Sequence, residues 1–205
     1  GRCQIDDLGS TVEGRDINLL TRGHQDESDL KIWIIARQHP GETMAEWVIE
    51  GLLARLLDPQ DPTARALLDS ATFYVVPNMN PDGSALGNLR TNAAGANLNR
   101  EWLSPSEERS PEVFYVREKM RETGVDLFLD IHGDEGLPYI FVAGTEGVPG
   151  YGPRIAAFES RLKAALAAAR PAFQDEDGHE KDRPGQADPS QATNWGGNNF
   201  DWPAQ

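Results

Sequence analysis

Apolar and polar positions fall in blocks along the chain, and the blocks predict strands and helices in turn. Lys31-Ile32-Trp33-Ile34-Ile35-Ala36 is β-rich and apolar on both faces, as a strand buried inside a sheet must be. From Met44 the period changes. Met44, Val48, Leu52 and Ala45, Ile49, Leu53, Leu56 recur at helical spacing, predicting a helix from Thr43 to Leu57 that Asp58-Pro59 ends. Ala71 to Val76 is a second buried strand, stopped at Pro77. Ser110-Pro111-Glu112 opens another helix, with Ser110 as cap and Pro111 in the first helical position, and Gly124 suits its end. Asp126 to Ile131 and Tyr139 to Ala143 read as further strands, and alanine-rich Arg154 to Arg170 as a helix stopped by Pro171. Ahead of these, Arg2 to Gly23 reads as two extended segments around the turn Val12-Glu13-Gly14-Arg15. Strands alternating with helices imply an α/β protein with a mostly parallel or mixed sheet covered on both faces.

Two stretches have no period. Asn78 to Arg100 is rich in Asn and Gly, and an ordered loop of that length in a compact domain is usually functional. Gln174 to Asn199 is polar and predicts an exposed loop. At 205 residues, 39% hydrophobic and 25% charged, one soluble α/β domain is the default. No apolar run approaches the roughly 20 residues that cross a membrane. Cys3 is the single cysteine, so no internal disulfide forms, which fits a cytoplasmic home. A net charge of −14 repels phosphate backbones and argues against nucleic-acid binding. Its main consequence is solubility; an acidic substrate needs a local basic pocket, for which Arg90 and Arg100 are candidates.

The candidate chemistry gathers at strand ends. His39-Pro40-Gly41-Glu42 lies between the first buried strand and the first helix, and His132 closes the run Asp126-Leu127-Phe128-Leu129-Asp130-Ile131-His132. In open sheets of this kind ligands gather beyond the C-terminal strand ends, and His39, Asn78 and His132 all follow a strand. An isolated His-x-x-Glu is common, with a helix-capping Glu and an incidental His as its bland reading. Its place at one strand end, with a second His at another, favours a metal site. Two imidazoles and one carboxylate are the set that holds a catalytic zinc and leaves a position open for water. Pro40 and Gly41 make the bend and keep bulk away from the ion. His24 and His179 occupy no comparable position and read as surface residues. In the Asn/Gly loop, Arg90 and the pair Asn99-Arg100 suit an oxyanion contact and a receptor for a terminal carboxylate. Alone, they would read as surface arginines and a turn-forming Asn.

His39-Pro40-Gly41-Glu42, Asn80-Pro81-Asp82-Gly83, Asn97-Leu98-Asn99-Arg100 and His132, in this order, resemble the zinc carboxypeptidase family over nearly the whole chain. The resemblance is strongest to its cytosolic carboxypeptidase-like branch, bacterial members included. It implies a three-layer α/β/α sandwich around a mixed, twisted, mostly parallel sheet. It implies that His39, Glu42 and His132 bind Zn2+, that Arg90 stabilises the oxyanion, and that Asn99 and Arg100 hold the C-terminal carboxylate of a peptide or protein substrate. Members of the branch characteristically remove C-terminal glutamate.

Three departures accompany the resemblance. Many relatives place an Asp where Asn97 stands, to orient the first zinc histidine; the Asn amide oxygen accepts the same imidazole N–H with less charge support. The family's general base is a Glu on a late strand, and no apolar run after Arg170 carries one, so the base is expected beyond Gln205; the substrate-capping Tyr also has no match. The N-terminal β-domain of the branch is likewise not found. The expectation is one catalytic domain over 1–205, trimmed at both ends. Asp134 and Glu135 are weighed as replacement bases, although carboxylates beside a cation more often tune it or bind solvent. The competing readings are a zinc acylase of the aspartoacylase or succinylglutamate desuccinylase type, and an inactive module that binds peptide termini.

Overall fold

The computed structural model describes residues 3–25, 30–134, 136–174 and 182–199. The order is β1 (Gln4–Ser10), β2 (Asp16–Arg22), β3 (Leu30–Ala36), α1 (Met44–Leu57), α2 (Pro62–Leu68), β4 (Ala71–Val76), α3 (Pro81–Leu86), α4 (Pro111–Thr123), β5 (Leu127–Ile131), α5 (Pro153–Ala169) and α6 (Ala192–Asn199). The strands form one mixed sheet in the order β1-β2-β4-β3-β5. β3 runs parallel to β4 and β5, while β2 runs antiparallel to β1 and β4.

Alternation along the central strands divides the core into two layers. Trp33 and Ile35 of β3, with Tyr74 and Val76 of β4, join Val113, Val116 and Met120 of α4 and Ala192 and Trp195 of α6 on one face. Ile34 and Ala36, with Phe73 and Val75, meet Ala45, Ile49 and Leu56 of α1 and Ala64 and Leu68 of α2 on the other. Both faces of β3 and β4 are therefore covered, which fits the apolar runs Ile32 to Ala36 and Phe73 to Val76 within them. Trp33 and Tyr74 are register partners and stack with centroids 5.0 Å apart. The result is the expected α/β/α sandwich. On α1, only the Ala45, Ile49 and Leu56 stripe is buried; Met44 and Val48 of the predicted periodic set face outward.

Several local expectations differ. Tyr139 to Ala143 is not a strand: only Ile140 bridges, to Phe173, and Tyr139 and Ile140 are exposed. Ser110 precedes α4, but its hydroxyl makes no capping bond and lies 3.5 Å from Glu101 Oε2 instead. α2, α3 and α6 are helices where none was predicted. They are too short for a period to show, and the first two depend on side-chain caps. Asp61 accepts from the N–H groups of Thr63 and Ala64, and Asn80 accepts from Gly83 N–H at 3.0 Å, each with Pro in the first turn. α6 lies inside the stretch predicted as exposed loop, yet it buries Ala192 and Trp195.

Gly83 is where α3 meets the loops around the strand ends. A Cβ there would lie 2.4 Å from Thr91 O and 2.5 Å from Pro40 Cγ. Ala is favoured over Gly inside a helix by about 1 kcal/mol. Overpacking against a backbone carbonyl costs about 1–3 kcal/mol, so the clash is expected to win. Gly83→Ala is expected to destabilise the chain in urea unfolding; a stabilised variant would show that the close approach is not there.

Candidate metal centre

Parallel pairing brings the C-terminal ends of β3, β4 and β5 to one edge of the sheet. Ala36 is the register partner of Ile131, and Ile35 of Val76. His132 directly follows Ile131, and His39 follows Ala36 by three residues. The segment between is held through its backbone. Met79 N–H donates to Ala36 O at 2.9 Å, Asn80 Nδ2 to Gln38 O at 3.0 Å, Gly41 N–H to Leu89 O at 2.9 Å and Glu42 N–H to His39 O at 3.1 Å. Leu89 occupies the room that Gly41 leaves: a Cβ on Gly41 would come within 2.8 Å of Leu89 Cδ1.

The Glu42 carboxylate lies at the centre. Oε1 is 2.7 Å from His39 Nδ1; Oε2 is 2.8 Å from His132 Nδ1 and accepts Gly133 N–H at 3.0 Å. Ligand atoms of His39, Glu42 and His132 all fall within 4.8 Å of one another. Bonds of about 2.0–2.2 Å to a single zinc span such a set with small side-chain shifts.

The outer ring nitrogens have their own acceptors. His39 Nε2 lies 3.0 Å from Asn97 Oδ1, and Asn99 N–H donates to the same oxygen at 3.1 Å. The bond from Asn99 identifies that atom as the amide oxygen. It is placed to accept the Nε2 proton, so that with a metal bound Nδ1 would be the ring atom offering its lone pair beside Glu42. His132 Nε2 lies 2.7 Å from Asp130 Oδ2, which also accepts from Gln38 Nε2 at 2.7 Å. Gln38 Oε1 in turn accepts from Trp102 Nε1 at 2.8 Å. Both imidazoles thus present Nδ1 inward, toward the Glu42 carboxylate.

Proton affinities follow from this packing. Burial pushes the Glu42 carboxyl up, but the hydrogen bonds from His132 and His39 outweigh it and hold the group down at about 2. Burial pushes His132 down, but Asp130 and then Glu42 outweigh that and raise it to about 10. Two carboxylates converging beneath two rings make a pocket that favours positive charge.

Arg90 reaches this group: Nη2 is 3.2 Å from His39 Nε2 and Nη1 is 3.5 Å from Glu42 Oε1. Asn99 and Arg100 continue the 3-10 turn Leu98–Arg100 that follows Asn97. Their contacts run to the segment before α6. Asn99 Oδ1 accepts Ala192 N–H at 2.9 Å, Arg100 Nε is 3.4 Å from Asp188 Oδ2, and Arg100 Nη1 donates to Asn99 O at 2.6 Å. With Asn99 Oδ1 so engaged, its amide nitrogen is the end left to donate. Asp134 Oδ1 is occupied by the N–H groups of Gly136 and Leu137, which bind it into a turn. His24 is exposed, while Glu135 and His179 lie outside the described residues.

Sequence reasoning missed Asp130 and Gln38. A signal for Asp130 was present: residues i and i+2 leaving a strand point to one face, so Asp130 and His132 belong together. No sequence pattern indicated that Gln38 would join Asp130 to Trp102.

Comparison with known proteins gives a consistent result. The profile described as zinc carboxypeptidase matches residues 1–169. An uncharacterised protein of Zymomonas mobilis is 52% identical over 187 residues, covering 91% of this chain and 48% of that protein. Cytosolic carboxypeptidase 3 of Mus musculus is 39% identical over 154 residues, covering 71% of this chain and 15% of that protein. The solved metallo-carboxypeptidase of Pseudomonas aeruginosa, in complex with (2-guanidinoethylmercapto)succinic acid, superposes with a TM-score of 0.91 at 54% identity, covering 96% of this chain and 53% of that one. The chain thus spans about half the length of two of these relatives and a smaller share of the third.

Two outcomes are expected from this geometry. Asp130→Asn should weaken zinc binding by roughly 10–100-fold, the usual cost of losing a partner behind a ligand, and Asn97→Ala by less, because Asn97 carries no charge. Chelator competition measures both; a larger loss in Asn97→Ala would contradict the assignment. Because His132 keeps its proton up to about pH 10 without a metal, an incoming ion must displace that proton. Apparent zinc affinity should therefore fall as pH falls, by about tenfold per unit for one displaced proton, and an affinity independent of pH between 6 and 8 would rule this out.

Proposed function

The chain belongs to the zinc carboxypeptidase family, and we propose that it carries the metal- and carboxylate-binding machinery for hydrolysing the C-terminal peptide bond of a peptide or protein. The observation that carries this reading is the convergence of His39, Glu42 and His132 on one point, with Arg90 against two of them. A bound zinc supplies Lewis acidity, which lowers the pKa of water and polarises a carbonyl. The rest belongs to the chain. His39 and His132 each offer the inward nitrogen because Asn97 and Asp130 hold the outer one. Arg90 brings a cation to the place where negative charge develops on the scissile oxygen. Asn99 and Arg100 supply an amide donor and a guanidinium fork for the free terminal carboxylate.

Three further points belong to the same reading. C-terminal glutamate is the residue we propose for removal, on the resemblance of the motifs to the cytosolic carboxypeptidase-like branch. The compound seen with the Pseudomonas protein is a substituted succinic acid, in keeping with a receptor for carboxylates. A cytoplasmic setting agrees with the names of the mammalian relatives, and no helix among the described residues is long and apolar enough to cross a membrane.

The test is a panel of peptides with free and amidated C-termini, together with N-acyl amino acids. Zinc-dependent release of the last residue from free-acid peptides alone supports the proposal. Turnover of N-acyl amino acids alone would establish the acylase chemistry instead. Arg90→Ala is expected to lower kcat by about 100–1000-fold with little change in KM. Arg100→Ala is expected to weaken binding of free-acid peptides by roughly 10–100-fold, the worth of a charged hydrogen-bond pair, and to abolish their advantage over amides in calorimetric titration. Undiminished discrimination in Arg100→Ala would remove Arg100 from the receptor.

A further inference from the structure

Arg37 stands between β3 and the turn that carries His39 and Glu42. Its φ is +58°, in the left-handed region that disfavours a long side chain. Gln25 is the only other non-glycine residue with positive φ among the described residues. A bent backbone alone would be served best by glycine. The arginine side chain folds back over the turn that it begins. Nε donates to Pro40 O at 2.9 Å, and Nη1 pairs with the Glu46 carboxylate in the first turn of α1. The Arg37 side chain is 15% exposed and that of Glu46 36%, so the guanidinium lies largely against the protein while its carboxylate partner is part solvated. The bond to Pro40 O therefore carries more of the constraint than the ion pair does.

The position of these contacts matters more than their number. Pro40 O lies inside the segment that separates the two ligands, His39 and Glu42, while Glu46 belongs to the helix that continues from Glu42. A rigid guanidinium fork reaching both fixes the turn against its own helix. The neighbouring carbonyls are held from elsewhere, Gln38 O by Asn80 and His39 O by Glu42 N–H. Pro40 O is held by Arg37. The left-handed bend at Arg37 also precedes Gln38 and His39, which both turn into the buried centre.

We infer that Arg37 is a positioning residue of the metal centre, whose guanidinium sets the spacing of His39 and Glu42 by tying the Pro40 carbonyl to Glu46. This rests on the metal-binding reading of His39, Glu42 and His132. The test uses Arg37→Gly, which suits the backbone and removes the clamp, Arg37→Lys, which keeps charge but loses the fork, and Glu46→Gln. Each is titrated with zinc against a chelator and, after cobalt substitution, examined by visible absorption, with thermal unfolding of the metal-free chain as a control. Arg37→Gly is expected to bind zinc roughly 10–100-fold more weakly, in the range seen when supporting residues are lost, and to shift the cobalt bands. Arg37→Lys should not restore either property, and Glu46→Gln should change both in the same direction by less. Wild-type affinity in Arg37→Gly would overturn the inference. Should Arg37→Gly fail to fold, wild-type affinity in both Arg37→Lys and Glu46→Gln would overturn it. His39→Ala separates the two levels: if it binds zinc as the wild type does, the metal reading itself has failed.

Discussion

A carboxylate buried at the junction of two loops is the constraint on which the centre depends. Glu42 is almost inaccessible to solvent, yet it stays ionised because two imidazoles and the Gly133 amide surround it. Burying an unpaired charge costs several kcal/mol or more, so the chain ends of β3 and β5 are tied together wherever this group is satisfied. Positive charge is required at that point, whether it comes as protons on the rings or as a metal ion. The parallel pairing of β3 with β5 provides the meeting place by setting Ala36 beside Ile131. The chemistry of the site is therefore a property of sheet register as much as of the three side chains.

Charge behind the ligands is distributed unevenly. His39 leans on a neutral amide, Asn97, and His132 on a carboxylate, Asp130. The carboxylate support absent behind the first ring is thus present behind the second, and Gln38 connects Asp130 to the indole of Trp102 in the core. The long segment between Asn78 and Arg100 is stiffened by its asparagines in place of regular structure. Asn88 donates to Thr91 O and Asn92 O, while Asn92 donates to Arg109 O and accepts from Ala94 and Ala96. Below it, Glu112 is fully buried, and burial pushes its carboxyl up to about 7 despite the Asn92 amide 3.2 Å away. This segment carries Arg90, Asn97, Asn99 and Arg100.

The sequence was most legible where burial is complete. Lys31 to Ala36 and Ala71–Val76 read as central strands because both faces of the sheet there are covered, and α1 read as a helix because its apolar stripe spans four turns. His39, Glu42 and His132 were readable because each follows a strand end, where an α/β sheet opens. Short helices such as Pro81–Leu86 and Ala192–Asn199 escaped notice, since a few residues show no period and their stability comes from caps and tertiary packing. Tyr139 to Ala143 misled for the converse reason: β-rich composition does not supply a neighbouring strand. Arg37 and Gln38 were invisible because their roles depend on one left-handed residue and on contacts with positions 130 and 102, which no local pattern encodes.

The inward nitrogens of two histidines and the carboxylate between them are close enough to share one ion. Anomalous diffraction from crystals of the zinc-loaded chain tests it most directly. A single strong peak is expected about 2.0–2.2 Å from His39 Nδ1, His132 Nδ1 and a Glu42 oxygen. A peak bound through Nε2 of either ring, or one that leaves Glu42 out of reach, would contradict it.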